Sequence, residues 1–172
     1  VDESGNNIEI ARNGVFDIIL NKTPFYAECG GQAGDSGIFT INEQNFEVIK
    51  TFKVQDIFVH RVIVEEAEIK KGEELIAKID IERRREITKH HSLAHLLQAA
   101  LREFLGTHVE QAGQLVDDKA VRFDFTHFSA MSAEEMEKVE AIVNEKIVQL
   151  DYKLQDGDIV KIKTDPNSKP NK

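Results

Sequence analysis

The sequence predicts an α+β chain: a small β-barrel, then an α+β unit made of a long helix, an antiparallel sheet and a second helix. Three observations lead there. Short β-rich runs separated by turn formers fill the first half. Around Glu82 the hydrophobic spacing switches from alternation to the helical period. Beyond Gly106 a strand–turn–strand pattern precedes a helix-capping signature. These place a barrel domain at residues 1–82, with its glycine-rich loop, and a second domain at 83–172.

In the barrel half, Val15 to Leu20, Gly37 to Ile41, Phe46 to Lys50, Ile57 to Val64 and Glu74 to Ile81 read as strands. Asn6-Asn7, Asn13-Gly14, Asn42 to Asn45 and Lys71-Gly72 supply turns between them. Five or six short strands at this spacing suit a closed or half-closed barrel. Glu28 to Gly37 interrupts the pattern with closely spaced glycines, marking a loop with unusual backbone angles.

Ile87 to Leu105 carries Leu93, Leu96, Leu97, Ala100, Leu101 and Phe104 at the helical period, and Gly106 is a natural stop. Thr107 to Val116 and Lys119 to Phe125 form an expected hairpin turning at Asp117-Asp118. Ser132 followed by Glu135 is a capping box, opening a helix expected to reach about Leu150. A last strand near Ile159 to Lys163 leads into a polar tail, Pro166 to Lys172. No internal repeat is present.

Composition narrows the function. The 172 residues are 41% hydrophobic and 31% charged, enough for a core and a solvated surface. No run is apolar enough to span a membrane, and no signal peptide is evident, so a cytoplasmic protein without a membrane partner is expected. The single cysteine, Cys29, excludes an internal disulfide framework. A chain opening on Val1 rather than Met reads as a piece of a longer protein. The net charge of -9 runs against a free-standing nucleic-acid binder, which ordinarily presents a basic patch to phosphates.

Two segments could carry chemistry. His91 and His95, four apart on a helix, share one face and can approach one zinc ion. They fall nearly opposite the apolar stripe, beside Thr88 and Gln98, so they face water or a cleft. The bland alternative is two solvated histidines; two ligands alone do not complete a zinc site. No Glu follows His91, so this is not a metalloprotease helix. His90 lies a hundred degrees round the helix and is a poor partner, while His60, His108 and His127 read as cross-strand or surface residues. The second segment, Gly30-Gly31-Gln32-Ala33-Gly34-Asp35-Ser36-Gly37, could bring backbone N–H groups close to a ligand, or be only a tight inter-strand loop. It matches neither a phosphate-binding P-loop nor a dinucleotide fingerprint. Gln111 is a strand glutamine able to reach a substrate.

In order, Thr23-Pro24-Phe25-Tyr26-Ala27-Glu28, then Gly30-Gly31-Gln32-x-Gly34-Asp35-x-Gly37, resembles the barrel segment of alanyl-tRNA synthetases. His91-Ser92-x-x-His95-Leu96 resembles the start of their editing domain. Leu105-Gly106-Thr107-His108-Val109-x-Gln111-x-Gly113-x-Leu115-Val116 and Arg122-Phe123-Asp124-Phe125 are similar to its continuation. The resemblance covers roughly residues 14 to 150.

It implies part of an enzyme that attaches alanine to its tRNA using ATP, specifically the region that hydrolyses tRNA(Ala) mischarged with serine or glycine. It implies that His91 and His95 supply two zinc ligands, that Gln111 lines the editing pocket, and that Gly30, Gly31 and Gln32 lie near it. The partners it implies are the tRNA(Ala) acceptor end and the rest of the parent synthetase. One departure stands out: the family's Cys-x-x-x-His motif, which completes the zinc site, is absent through Lys172. Weak or no zinc binding and little editing by this piece alone are therefore expected. The alternatives are a free-standing trans-editing hydrolase, which needs that motif in its own chain, and a non-catalytic binding module.

Overall fold

The computed structural model describes residues 1–2, 5–139, 141–143, 146–148 and 160–162. The chain divides into two compact units, Val1–Arg84 and Arg85–Lys172.

Unit 1 is a five-stranded antiparallel sheet. Its strands are β1 (Ile10–Ile19), β2 (Gly37–Ile41), β3 (Gln44–Val54), β4 (Ile57–Lys70) and β5 (Ile76–Ile79). The ladder runs β1-β4-β3-β2-β5. Alternation explains which face is covered. Phe39 and Ile41 on β2, Phe46 and Val48 on β3, and Val62 and Val64 on β4 are buried, with Phe25 from the loop packed among them. Asn42 and Glu43, both at positive φ, form a two-residue turn whose twist matches the β2–β3 hairpin.

Two expectations are corrected here. Asn13-Gly14 is not a turn between strands but a bulge inside β1, with Asn13 at φ 48° and the register shifting between Arg12 and Gly14. Strand β1 therefore starts at Ile10, and β4 continues to Lys70 to pair with it. At the other end, Ile81 is helical rather than the end of a strand. Asp80 explains the break: its Oδ1 accepts the Arg83 N–H at 3.0 Å and its carbonyl accepts the Arg84 N–H, capping helix α1 (Ile81–Leu105).

Of the two readings of His60, cross-strand and surface, the first holds: it lies on β4 opposite Ile18 and Thr51 and is fully buried. Nδ1–H donates to the Ile18 carbonyl (3.0 Å), and Nε2 accepts from the Thr23 hydroxyl (2.8 Å). Both bonds suit one neutral tautomer, and the rings of Phe25 and Phe39 flank it at 5.4 and 5.3 Å. Burial holds the His60 pKa below its usual value, outweighing its bond to Ile18. The unfolded chain then binds more protons at mildly acid pH, so this group's contribution to stability is complete above about pH 6.5 and is lost as pH falls. His60→Leu is expected to flatten the acid side of the stability curve, by at most about 1.4 kcal/mol per pH unit. Urea midpoints between pH 5 and 8 for both proteins check this; equal slopes would refute it.

In unit 2, α1 is followed by the hairpin β6 (Gln111–Val116) and β7 (Val121–Phe125). Ala100, Leu101, Leu105, Val109 and Val139 form its core. The turn is closed by Asp117, whose Oδ1 accepts the N–H groups of Lys119 and Ala120. The expected capping box is present: Glu135 N–H donates to Ser132 Oγ, and Ser132 N–H to Glu135 Oε2 (2.8 Å). The helix it opens, α2, spans only Ala133–Val139. Strands β8 (Ala141–Val143) and β9 (Lys146–Val148) stand in place of the expected helix to Leu150, and β10 (Val160–Ile162) pairs with β8. The β-branched run Ile142-Val143 and Ile147-Val148 finds ladder partners, which override helical spacing. The expected tail, Pro166 to Lys172, lies outside the described residues.

Candidate functional site

In unit 1 the glycine segment is built as a latch. Cys29 and Gln32 exchange backbone bonds at 3.2 and 3.0 Å, closing a two-residue turn on Gly30 and Gly31. Both glycines have positive φ (59° and 82°), which the turn requires. Gly34 then passes directly against β3, where a Cβ would stand 1.9 Å from the Thr51 carbonyl oxygen. Asp35, 3% exposed, accepts the Tyr26 N–H at 2.5 Å and a forked contact from Arg84 Nε and Nη2. Arg84 also donates to the Pro24 carbonyl, and Arg83 to that of Gly34. The Asp35 hydrogen bond raises the Arg84 pKa; burial, then the charges of Cys29 and Asp35, raise that of Tyr26. Asp35 and Arg84 are not among the expected site residues, and no local spacing connects positions so far apart. An apolar pocket of the same unit, lined by Ala11, Phe16, Ile41 and Leu75, includes none of Gly30, Gly31 and Gln32.

In unit 2, His95 is exposed and His91 half-buried, both off the buried stripe of Ile87, Leu93, Ala94, Ala100, Leu101 and Leu105. Their Nε2 atoms stand 3.0 Å apart, with ring planes inclined by 70° and centroids 4.8 Å apart. The rings bend toward each other, so their lone pairs can converge on one point beside the N···N line. Two nitrogens bound to one zinc at about 2.0–2.1 Å stand roughly 3.0–3.4 Å apart, so the spacing fits. The outer shell is less complete: among the described residues the buried His91 Nδ1 has no hydrogen-bond partner, where a zinc-bound histidine ordinarily donates to a carbonyl or carboxylate. Among the described residues no third ligand joins the pair.

His90 has a separate task. It is buried, with Nδ1 2.6 Å from the Asp117 carbonyl oxygen, tying α1 to the hairpin turn. Burial pulls the Asp117 carboxyl upward, but the Lys119 and Ala120 N–H donors and nearby His90 outweigh it and leave its pKa lowered. Gln111 is exposed at the start of β6, opposite Phe125 and beside a register shift. His108 and His127, read from the sequence as cross-strand or surface residues, form a pair 3.0 Å apart.

Comparison with known proteins follows these units. Residues 2–83 match the family model described as tRNA synthetases class II (A), and residues 134–164 match the TGS domain. The first unit thus defines a class II tRNA synthetase segment. Alanine–tRNA ligases from Bordetella avium and Bdellovibrio bacteriovorus are 46% and 47% identical over 132 residues, covering 76% and 77% of this chain. That from Cupriavidus necator is 43% identical over 147 residues, or 85% of the chain. Over the matched residues the chain belongs to the alanine–tRNA ligase family. It spans 15 to 17% of the length of these relatives. The TGS match takes in α2 and the three short strands, within the stretch that sequence reasoning assigns to the editing domain. No helix among the described residues is long and apolar enough to cross a membrane.

Proposed function

We propose that this chain is part of a cytoplasmic alanine–tRNA ligase, an enzyme joining alanine to tRNA(Ala) with ATP, and that His91 and His95 belong to its editing region. That region hydrolyses the ester of tRNA(Ala) mischarged with serine or glycine. The observation that carries the reading is the histidine pair: two Nε2 atoms 3.0 Å apart, off the helix's core stripe, with lone pairs able to converge. His91 and His95 would hold the zinc through Nε2. When bound, zinc supplies Lewis-acid chemistry, orienting the substrate's amino-acid or ribose oxygens or activating water. Gln111, exposed on the strand edge, can hydrogen-bond the amino-acid moiety.

With two ligands in hand, this chain alone is expected to hold zinc weakly and to leave Ser-tRNA(Ala) intact. A longer chain reaching a Cys-x-x-x-His motif should bind zinc tightly and deacylate, and His91→Ala in it should lose both. Bound metal and Ser-tRNA(Ala) hydrolysis measured side by side test this. If the longer chain neither holds zinc nor hydrolyses, the two histidines are surface residues and a non-catalytic binding module is the better reading. That second reading has its own support, the absence of a third ligand among the described residues together with the net charge of -9.

A further inference from the structure

We propose that Phe128, His108 and Arg102 form a stacking site for an unpaired nucleotide of RNA. The proposal rests on the RNA reading above and adds a contact outside the histidine pair of α1. Phe128 is 86% exposed, an unusual place for a large apolar ring. It does not hang free. Its ring lies over that of His108, with centroids 4.3 Å apart and planes inclined by 21°.

His108 is itself held in position. Its Nε2 is 3.0 Å from His127 Nδ1, with planes 22° apart and centroids 5.2 Å apart. That separation is close to the largest two rings in such contact can have, so the nitrogens meet head-on and the lone pairs lie along one line. The arrangement is an N–H···N hydrogen bond, and it leaves no off-axis point for a shared metal. Beneath the rings, Thr126 N–H donates to the Glu110 carbonyl, Glu110 N–H to Thr126 Oγ1, and Thr126 Oγ1–H to the His108 carbonyl. The segments carrying the three rings are therefore strapped together.

The result is a planar aromatic surface, fixed on one side and open to water on the other. A nucleobase suits such a surface because every base offers a π-face, and a preordered ring loses little freedom on binding. Arg102 Nη1 lies 3.5 Å from the carbonyl oxygen of Val109, the neighbour of His108, and among the described residues its guanidinium makes no ion pair. Its remaining donors suit a phosphate oxygen.

The chain contains no tryptophan, so Phe128→Trp places a single reporter in the proposed site. The probe is a short, labelled single-stranded RNA ending in CCA, with binding followed on the full chain by label anisotropy and by fluorescence of the introduced indole. Saturable quenching should track the anisotropy curve. Phe128→Ala should weaken binding about 5- to 100-fold, Phe128→Tyr should largely retain it, and Arg102→Gln should lower its salt dependence. Because the Phe128 side chain is exposed, unchanged urea midpoints should accompany these losses. RNA binding that leaves the indole unquenched and Phe128→Ala unchanged would overturn the stacking site while leaving the RNA reading intact. No RNA binding at all would overturn both. Quenching by raising the protein concentration alone would make the ring a self-association contact instead, and overturn the proposal.

Discussion

Gly34→Ala is expected to cost the first unit about 4 kcal/mol or more, enough to unfold a domain of ordinary stability. The added methyl would sit 1.9 Å from the Thr51 carbonyl oxygen and 2.8 Å from the Glu28 nitrogen, both backbone atoms. A side chain can rotate away from such an intruder, but a ladder cannot. The same two atoms are bonded to each other at 2.9 Å, so relief of the clash would break the contact that fastens the glycine segment to β3. Gly30→Ala is the matched control. Nothing lies within 4 Å of its Cβ, and its cost is the left-handed backbone alone, about 1 kcal/mol. Urea denaturation of both variants decides the matter; similar midpoints would mean the segment yields where the structure shows no room.

Asp35→Ala is expected to cost about 2–4 kcal/mol. The substitution strips the acceptor from the Tyr26 N–H and from the Arg84 guanidinium at once, in a site where the carboxylate side chain is only 4% exposed. The upper figures for broken buried pairs do not apply, because Arg84 is 37% exposed and water can take over part of its solvation. Asp35→Asn should lose less, since its amide oxygen can still accept from Tyr26. A double-mutant cycle with Arg84→Ala reads the pair directly. Additive losses would assign the cost to the Tyr26 contact instead.

Legibility in the sequence follows the range of the interaction. Strand β2 and the Ser132–Glu135 box are each written within a few residues of one another and are read correctly. The β6–β7 hairpin and the apolar side of α1 are read in kind, though β6 starts at Gln111 rather than Thr107 and Leu96 lies outside the buried set. Asn13-Gly14 misleads because a bulge and a turn use the same residues. The start of α1 is hidden because Ile79-Asp80-Ile81 alternates like a strand, although Asp80 is the cap. Helix α2 reads as too long because Ile142 and Val143 fit either period, and the choice belongs to a strand distant in sequence. The site divides in the same way. The His91–His95 geometry follows from helical spacing, whereas the Asp35–Arg84 contact and the burial of His60 depend on segments joined only by the fold.

Strand β4 pairs on one side with β3, reached through a two-residue turn, and on the other with β1, where Ile10 meets Lys70. Assembly must therefore be staggered. The β3–β4 hairpin can close as soon as it exists, since almost no chain has to be immobilised to bring its edges together. Strand β1 must wait through the whole of β2 and β3, and for the last turn of β4, before its partner edge exists. The β1–β4 contacts thus join the residues of this sheet most distant in sequence, Ile10 and Lys70, and are the ones expected to form last.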